Sequence, residues 1–218
     1  MLFRNRRDAG RQLADALNYL KGAGCVVLAL PRGGVPVAAE VARGLGAPLD
    51  LLLVRKIGAP QHPELAIGAV IDGGRPMAIR DEEMMRLTGT SPRAFDQICL
   101  GELAEIERRR KFYLGGRSPV PVGGKIAIVV DDGLATGSTM RVALRALRER
   151  KPGMTVMAVP VAPASSLRTF REEADQIVCL KTPEPFGAVG YFYDDFSPTS
   201  DEEVITILRE YAPAAVKT

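Results

Sequence analysis

The chain has 218 residues, 29 Lys and Arg against 26 Asp and Glu, a net charge of +3 and 46% hydrophobic residues. Those proportions belong to a globular chain of one generous domain or two tight ones, and they exclude a disordered or fibrous protein. No apolar run nears the roughly 20 residues of a membrane helix, the opening MLFRNRRDAGR has no apolar secretory core, and so small a charge does not by itself call for nucleic acid.

Residues 8–20 put Ala9, Leu13, Ala16, Leu17 and Leu20 on one helical stripe, closed by Gly22 and Gly24. Residues 25–30 are a short continuous apolar run, the mark of a strand buried on both faces. Pro31-Arg32-Gly33-Gly34 breaks it, a helix follows over 35–45, and residues 49–54 read as a second buried strand. This strand-helix-strand order favours a parallel sheet. Residues 55–63, with two prolines and two basic residues, read as a loop. Residues 65–71 and 77–79 read as strands of a hairpin about a turn at Asp72-Gly73-Gly74.

Asp81 and Ser91-Pro92 are helix starts, and Phe95, Ile98, Cys99, Leu103 and Ile106 make an apolar stripe beyond them. Glu105 to Arg109 and Glu107 to Lys111 are helix-stabilising pairs. The segment of about 73–118 therefore reads as a helical insert. A third buried strand follows over 125–130, then a helix over 138–150 and strands over 154–159 and 176–180. Ser200 and Glu203 form a capping box that opens the last helix. The expected organisation is a single domain, 1–218, with a C-terminal hood and tail over about 183–218. Cys25, Cys99 and Cys179 are scattered and form no C-x-x-C. They read as small buried hydrophobes in a reducing cytoplasm.

The most informative stretch runs from Ile126 to Thr139. An apolar strand ends in Asp131 and Asp132; Gly133, Leu134, Ala135, Thr136 and Gly137 follow; and a helix opens at Ser138. Ligands of open α/β sheets bind beyond the carboxyl ends of strands. Small residues let backbone N–H groups close round an anion, and the helix start adds partial positive charge. A phosphate fits residues 135–139, and the two carboxylates upstream could accept bonds from vicinal ribose hydroxyls. Neither a Walker A loop nor G-x-G-x-x-G is present here.

This segment resembles the 5-phosphoribosyl-1-pyrophosphate (PRPP) motif of type I phosphoribosyltransferases. The resemblance implies a parallel, Rossmann-like α/β sheet with helices on both faces and a small hood. It implies a pentosyltransferase of nucleotide salvage that moves phosphoribose from PRPP to a purine or pyrimidine base. By the same resemblance Asp131 and Asp132 hold the ribose hydroxyls and stand near Mg²⁺, itself bound largely through PRPP. Ala135, Thr136, Gly137, Ser138 and Thr139 hold the 5-phosphate. Arg32, Gly33 and Gly34 resemble the pyrophosphate loop, whose peptide bond in the family is often cis without a proline. Arg55 and Lys56 resemble the catalytic basic start of a flexible closing loop. Many purine enzymes carry an Asp where this chain has Ala135, whereas uracil enzymes share Ala-Thr-Gly, so the base stays open. The segment 186–196 is similar to one in hypoxanthine–guanine enzymes, which would make Phe186 a base-stacking residue and put Asp194 near the base or metal.

Other features carry two readings. His62 is a solvated loop residue or an acid near pyrophosphate. The runs 108–111 and Arg4, Arg6, Arg7 and Arg11 are solvated helix faces or RNA contacts, the second also a contact in a homo-oligomer. The rival to an enzyme is a non-catalytic PRPP-sensing regulator, with or without RNA. The expected partners are PRPP and a nucleobase, with no nucleic acid and no membrane.

Overall fold

The computed structural model describes residues 2–72 and 77–211. The chain runs α1 (Arg6–Ala16), β1 (Cys25–Ala29), α2 (Gly34–Leu45), β2 (Leu49–Leu51), β3 (Val54–Ala59), β4 (His62–Ile71), β5 (Met77–Arg80), α3 (Glu82–Leu87) and α4 (Pro92–Leu114). It continues through β6 (Ile126–Val130), α5 (Ser138–Arg148), β7 (Met154–Val161), α6 (Ala164–Arg168), β8 (Gln176–Lys181) and α7 (Asp201–Glu210).

Five strands form a parallel sheet in the order β2-β1-β6-β7-β8. The pleat divides their side chains between two cores. Val27, Ala29, Ile128, Val130, Val156 and Ala158 face Leu13 of α1, Leu17 just beyond its end, and Val37 and Val41 of α2. Val26, Leu28, Ala127, Val129, Met157 and Val159 face Met140, Leu144 and Leu147 of α5. Coverage on both faces is why these strands are apolar at every position rather than alternating. It also sends the carboxyl ends of β1, β6 and β7 to one edge of the sheet.

A second, antiparallel sheet holds β3-β4-β5. It is packed between α4 and α5, both of which contact β3 and β4. Two expectations are corrected here. The run 49–54 is not one strand: β2 stops at Leu51, and Val54 opens β3 in the other sheet. Leu52 and Leu53 are buried as the chain crosses between sheets, so the apolar run continues while the pairing changes. Nor is 55–63 a loop. It forms β3, a turn at Pro60 and Gln61, and the start of β4, with a bulge in the ladder beside Gly58. The prolines mark the turn and the irregular edge of a hairpin.

The expected helical insert begins with a strand, β5, paired to β4; the turn residues Gly73 and Gly74 lie outside the described residues. The expected caps are present: Asp81 accepts from Met84 N, Ser91 from Ala94 N and Ser200 from Glu203 N. No helix among the described residues is long and apolar enough to cross a membrane. All three cysteines are free, Cys25 and Cys99 buried and Cys179 half-buried.

The basic run 108–111 is not a uniformly solvated face. Arg110 shares the buried side of α4 with Phe95, Cys99 and Ile106. Its guanidinium bonds Asp72 at the end of β4 and lies 3.5 Å from Asp50 of β2. Asp50 also accepts from Val120 N and pairs with Arg117. This buried cluster joins both sheets to α4. Burial pushes the Asp72 carboxyl up, and Arg110 opposes that shift. Removing one partner of a buried ion pair strands the other charge at a cost of about 3–5 kcal/mol. Arg110→Met should therefore lower unfolding free energy by about that amount in urea titrations at neutral pH. A loss under about 1 kcal/mol would mean that the cluster does not hold the sheets together.

Candidate active site

The strands place the site. Leu30 N donates to Val130 O at 2.9 Å, so the turn after β1 lies beside the carboxylates after β6. The Pro31–Arg32 peptide in that turn is cis. Gly33 then presses on the acidic pair: a Cβ there would stand 2.0 Å from Asp132 Oδ2. Only a residue without a side chain fits.

Asp132 is fixed from three further directions. Arg6 Nε donates to Oδ2 at 2.7 Å, the same guanidinium reaches Ser197 O at 2.7 Å, and it stacks 3.9 Å over the Phe196 ring. With its side chain only 11% exposed, Arg6 belongs to the site rather than to the surface. The Tyr193 hydroxyl donates to the Asp132 carbonyl, and Val189 lies against Gly133. Asp131 Oδ1 accepts from Asp132 N. Burial, reinforced by the Asp132 charge, raises the Asp131 carboxyl well above its ordinary range. Burial also raises Asp132, with the Arg6 bond opposing it. Among the described residues one guanidinium, that of Arg6, pairs with the two carboxylates, through Asp132.

Beyond it, Ala135, Thr136 and Thr139 are exposed, while Gly137 and Ser138 are half-buried. Gly137 caps α5 with φ 71°, and its Cα face packs on Phe170. Leu134 N donates to Val161 O, and Ser166 Oγ to Ala135 O at 2.8 Å, which holds the loop from β7 and α6. The first-turn N–H groups of a helix lack intrahelical acceptors. Lys56 Nζ adds a full charge there, 2.6 Å from Ser138 Oγ.

Arg55 and Lys56 are adjacent on β3, and a strand sends neighbours to opposite faces. Lys56 accordingly reaches the start of α5, whereas Arg55 pairs with Glu102 on α4. Arg32 turns outward, 3.7 Å from Asp201. Phe186 is half-buried and packs on Phe192, in a cluster that includes Phe3 and Tyr193. The Asp194 backbone N–H donates to Phe3 O and its side chain is exposed. His62 sits at the hairpin tip, 60% exposed, with Glu64 as its neighbour. The sequence places Arg6 only in a basic cluster and Tyr193 only in the aromatic segment 186–196; both reach Asp132 from positions far away in the chain.

Residues 3–195 match the model of the phosphoribosyl transferase domain. The chain belongs to the phosphoribosyl transferase family. A Mycobacterium tuberculosis relative, provisionally named a phosphoribosyl transferase, is 45% identical over 217 residues. That alignment covers 98% of this chain but 48% of the relative, so the chain spans about half the relative's length. The crystal structure of TT1426 from Thermus thermophilus is 40% identical, covers 98% of this chain and 100% of its own, and superposes with a TM-score of 0.86. AQ2163 from Aquifex aeolicus shares the fold at 14% identity and a TM-score of 0.50, over 85% of this chain and 78% of its own. The parallel sheet with helices on both faces is the type I architecture that the motif implies.

The raised Asp131 carboxyl carries a stability signature. Its stabilising contribution is complete below the ordinary carboxylate pKa of about 4, where both states are protonated, and is lost as pH rises through the raised folded value. Asp131→Asn cannot ionise. It should raise Tm near neutral pH and give no gain near pH 4 or below. Scanning calorimetry at both pH values checks this, and an unchanged or lower Tm near neutrality would refute it.

Proposed function

We propose that this protein transfers the 5-phosphoribosyl group of PRPP to a nitrogenous base of nucleotide salvage, releasing pyrophosphate. The observation that carries the reading is the juxtaposition at one sheet edge of the acidic pair, the glycine turn pressed on it and an open helix start holding Lys56. Each fits one part of PRPP.

The loop 135–139 would take the 5-phosphate through its N–H groups, hydroxyls and Lys56. Asp131 and Asp132 would accept the ribose hydroxyls. The turn 32–34 would meet the pyrophosphate by its backbone, since the Arg32 guanidinium points away from the acidic pair, toward Asp201. The C1–oxygen bond breaks with its electron pair going to pyrophosphate, and a base nitrogen bonds C1 and gives up its proton. Phe186 and Asp194, on the segment over Gly133, would stand on the base side. The protein's part in this chemistry is orientation and exclusion of water.

Carboxylate oxygens suit Mg²⁺, and Asp131 and Asp132 would be its protein ligands. No group of three or more His, Cys, Asp or Glu that could hold a metal occurs among the described residues, so its other ligands would come from substrate and water. When bound, the ion would neutralise the departing pyrophosphate.

PRPP with Mg²⁺ should raise Tm, because a ligand selective for the folded state stabilises it. Joint Asp131→Asn and Asp132→Asn should remove most of that rise. Offered a panel of nucleobases, the wild type should release pyrophosphate with at least one. Lys56 touches the phosphate side, which is bound alike in the ground and transition states, so Lys56→Ala should raise the PRPP KM by roughly tenfold and change kcat little. A fall in kcat with KM unchanged would move Lys56 to the leaving group. A thermal shift without pyrophosphate release from any base would identify a PRPP-sensing regulator. The absence of both would refute the reading.

A further inference from the structure

Arg32 opens a second cavity. Its guanidinium leaves the acidic pair and lines a space of about 370 Å³ with Arg108, Arg109, Phe112 and Tyr113 of α4 and Asp201 of α7. That size is within the range of small-molecule sites. Positions 108 and 109 lie one helical turn from 112 and 113, so α4 presents two guanidiniums beside two rings.

The charge is not balanced. Arg108 and Arg109 both donate to the single carboxylate of Glu105, at 2.7–2.9 Å. Among the described residues Arg32 pairs with Asp201 alone, at 3.7 Å, and Asp201 also accepts from the Tyr113 hydroxyl. Three guanidiniums thus face two carboxylates. Phe112 is 49% exposed, with Tyr113 packed edge-on beneath it at 5.2 Å, so a large ring is open to a planar partner. Guanidiniums bind phosphate oxygens bidentately, and an exposed aromatic ring stacks on a base.

We infer that this cavity is a second binding site, separate from the acidic pair, for a nucleotide with its phosphates on Arg32, Arg108 and Arg109 and its base on Phe112. An occupant bonded to Arg32 would hold the 32–34 turn from outside while Asp132 contacts it from inside. The inference does not depend on the reaction proposed above.

Isothermal titration with ADP tests it on the full chain, in the wild type, in Arg108→Ala with Arg109→Ala, and in Asp131→Asn with Asp132→Asn. The arginine pairs are solvent-exposed and contribute little to folding; circular dichroism and Tm confirm that each variant is folded. ADP should bind the wild type and the aspartate variant alike, and the arginine variant about tenfold or more weakly, as the loss of charge-assisted hydrogen bonds demands. Phe112→Ala, which removes only the ring, should weaken ADP more than it weakens inorganic pyrophosphate. Undiminished ADP binding by the arginine variant would overturn the inference. So would loss of binding in the aspartate variant, which would put ADP in the first site, or no binding by the wild type at millimolar ADP.

Discussion

The structure turns on how one carboxylate is held. Asp132 stands at the end of a strand buried on both faces, yet it remains reachable because three distant parts of the chain are built round it. Arg6 supplies countercharge from α1, Gly33 gives way to it from the turn after β1, and Tyr193 binds its carbonyl from the segment between β8 and α7. None of these contacts is local. The N-terminal helix and the segment between β8 and α7 are therefore parts of the site, and the aromatic cluster of Phe3, Tyr193 and Phe196 that joins them keeps Arg6 in place. The cost lies in Asp131, whose charge is opposed both by burial and by its neighbour. A carboxylate held against its own ionisation costs stability, a cost common at binding sites.

The second constraint is the small sheet. Packed between α4 and α5, it links two regions that β3 touches with consecutive residues. Arg55 fastens it to Glu102 on one face, while Lys56 reaches Ser138 on the other. The buried cluster of Arg110, Asp72 and Asp50 fixes the same sheet at its base. A hairpin anchored in this way is a poor free-swinging lid along its first half. His62 is exposed at its tip, beside Pro60 and Gln61.

Much of this was legible in the sequence, for physical reasons. Strands buried on both faces appear as unbroken apolar runs, and the helix starts at Asp81, Ser91 and Ser200 carry their caps in the chain itself. The acidic pair and phosphate loop form one contiguous segment, so their spacing survives in one dimension. Three things did not survive. The run 49–54 conceals a change of sheet, because burial is continuous where pairing is not. Arg55 and Lys56 read as a basic pair acting together, but strand alternation sends them to opposite faces. Arg110 hides among charged neighbours because its two carboxylate partners lie far away in sequence. Arg6 illustrates the same limit inside the site: nothing local separates it from Arg4, Arg7 or Arg11.

Family membership and fold leave the substrate to the geometry of one sheet edge, so that edge is where the account is most exposed. A crystal structure of the protein grown with PRPP and Mg²⁺ examines it directly. The account expects the 5-phosphate within the loop of Ala135 to Thr139, bonded to N–H groups at the start of α5 and to Lys56, with the ribose hydroxyls on Asp131 and Asp132. PRPP bound elsewhere, with the 135–139 loop empty and the Asp132–Arg6 pair undisturbed by any sugar, would contradict it.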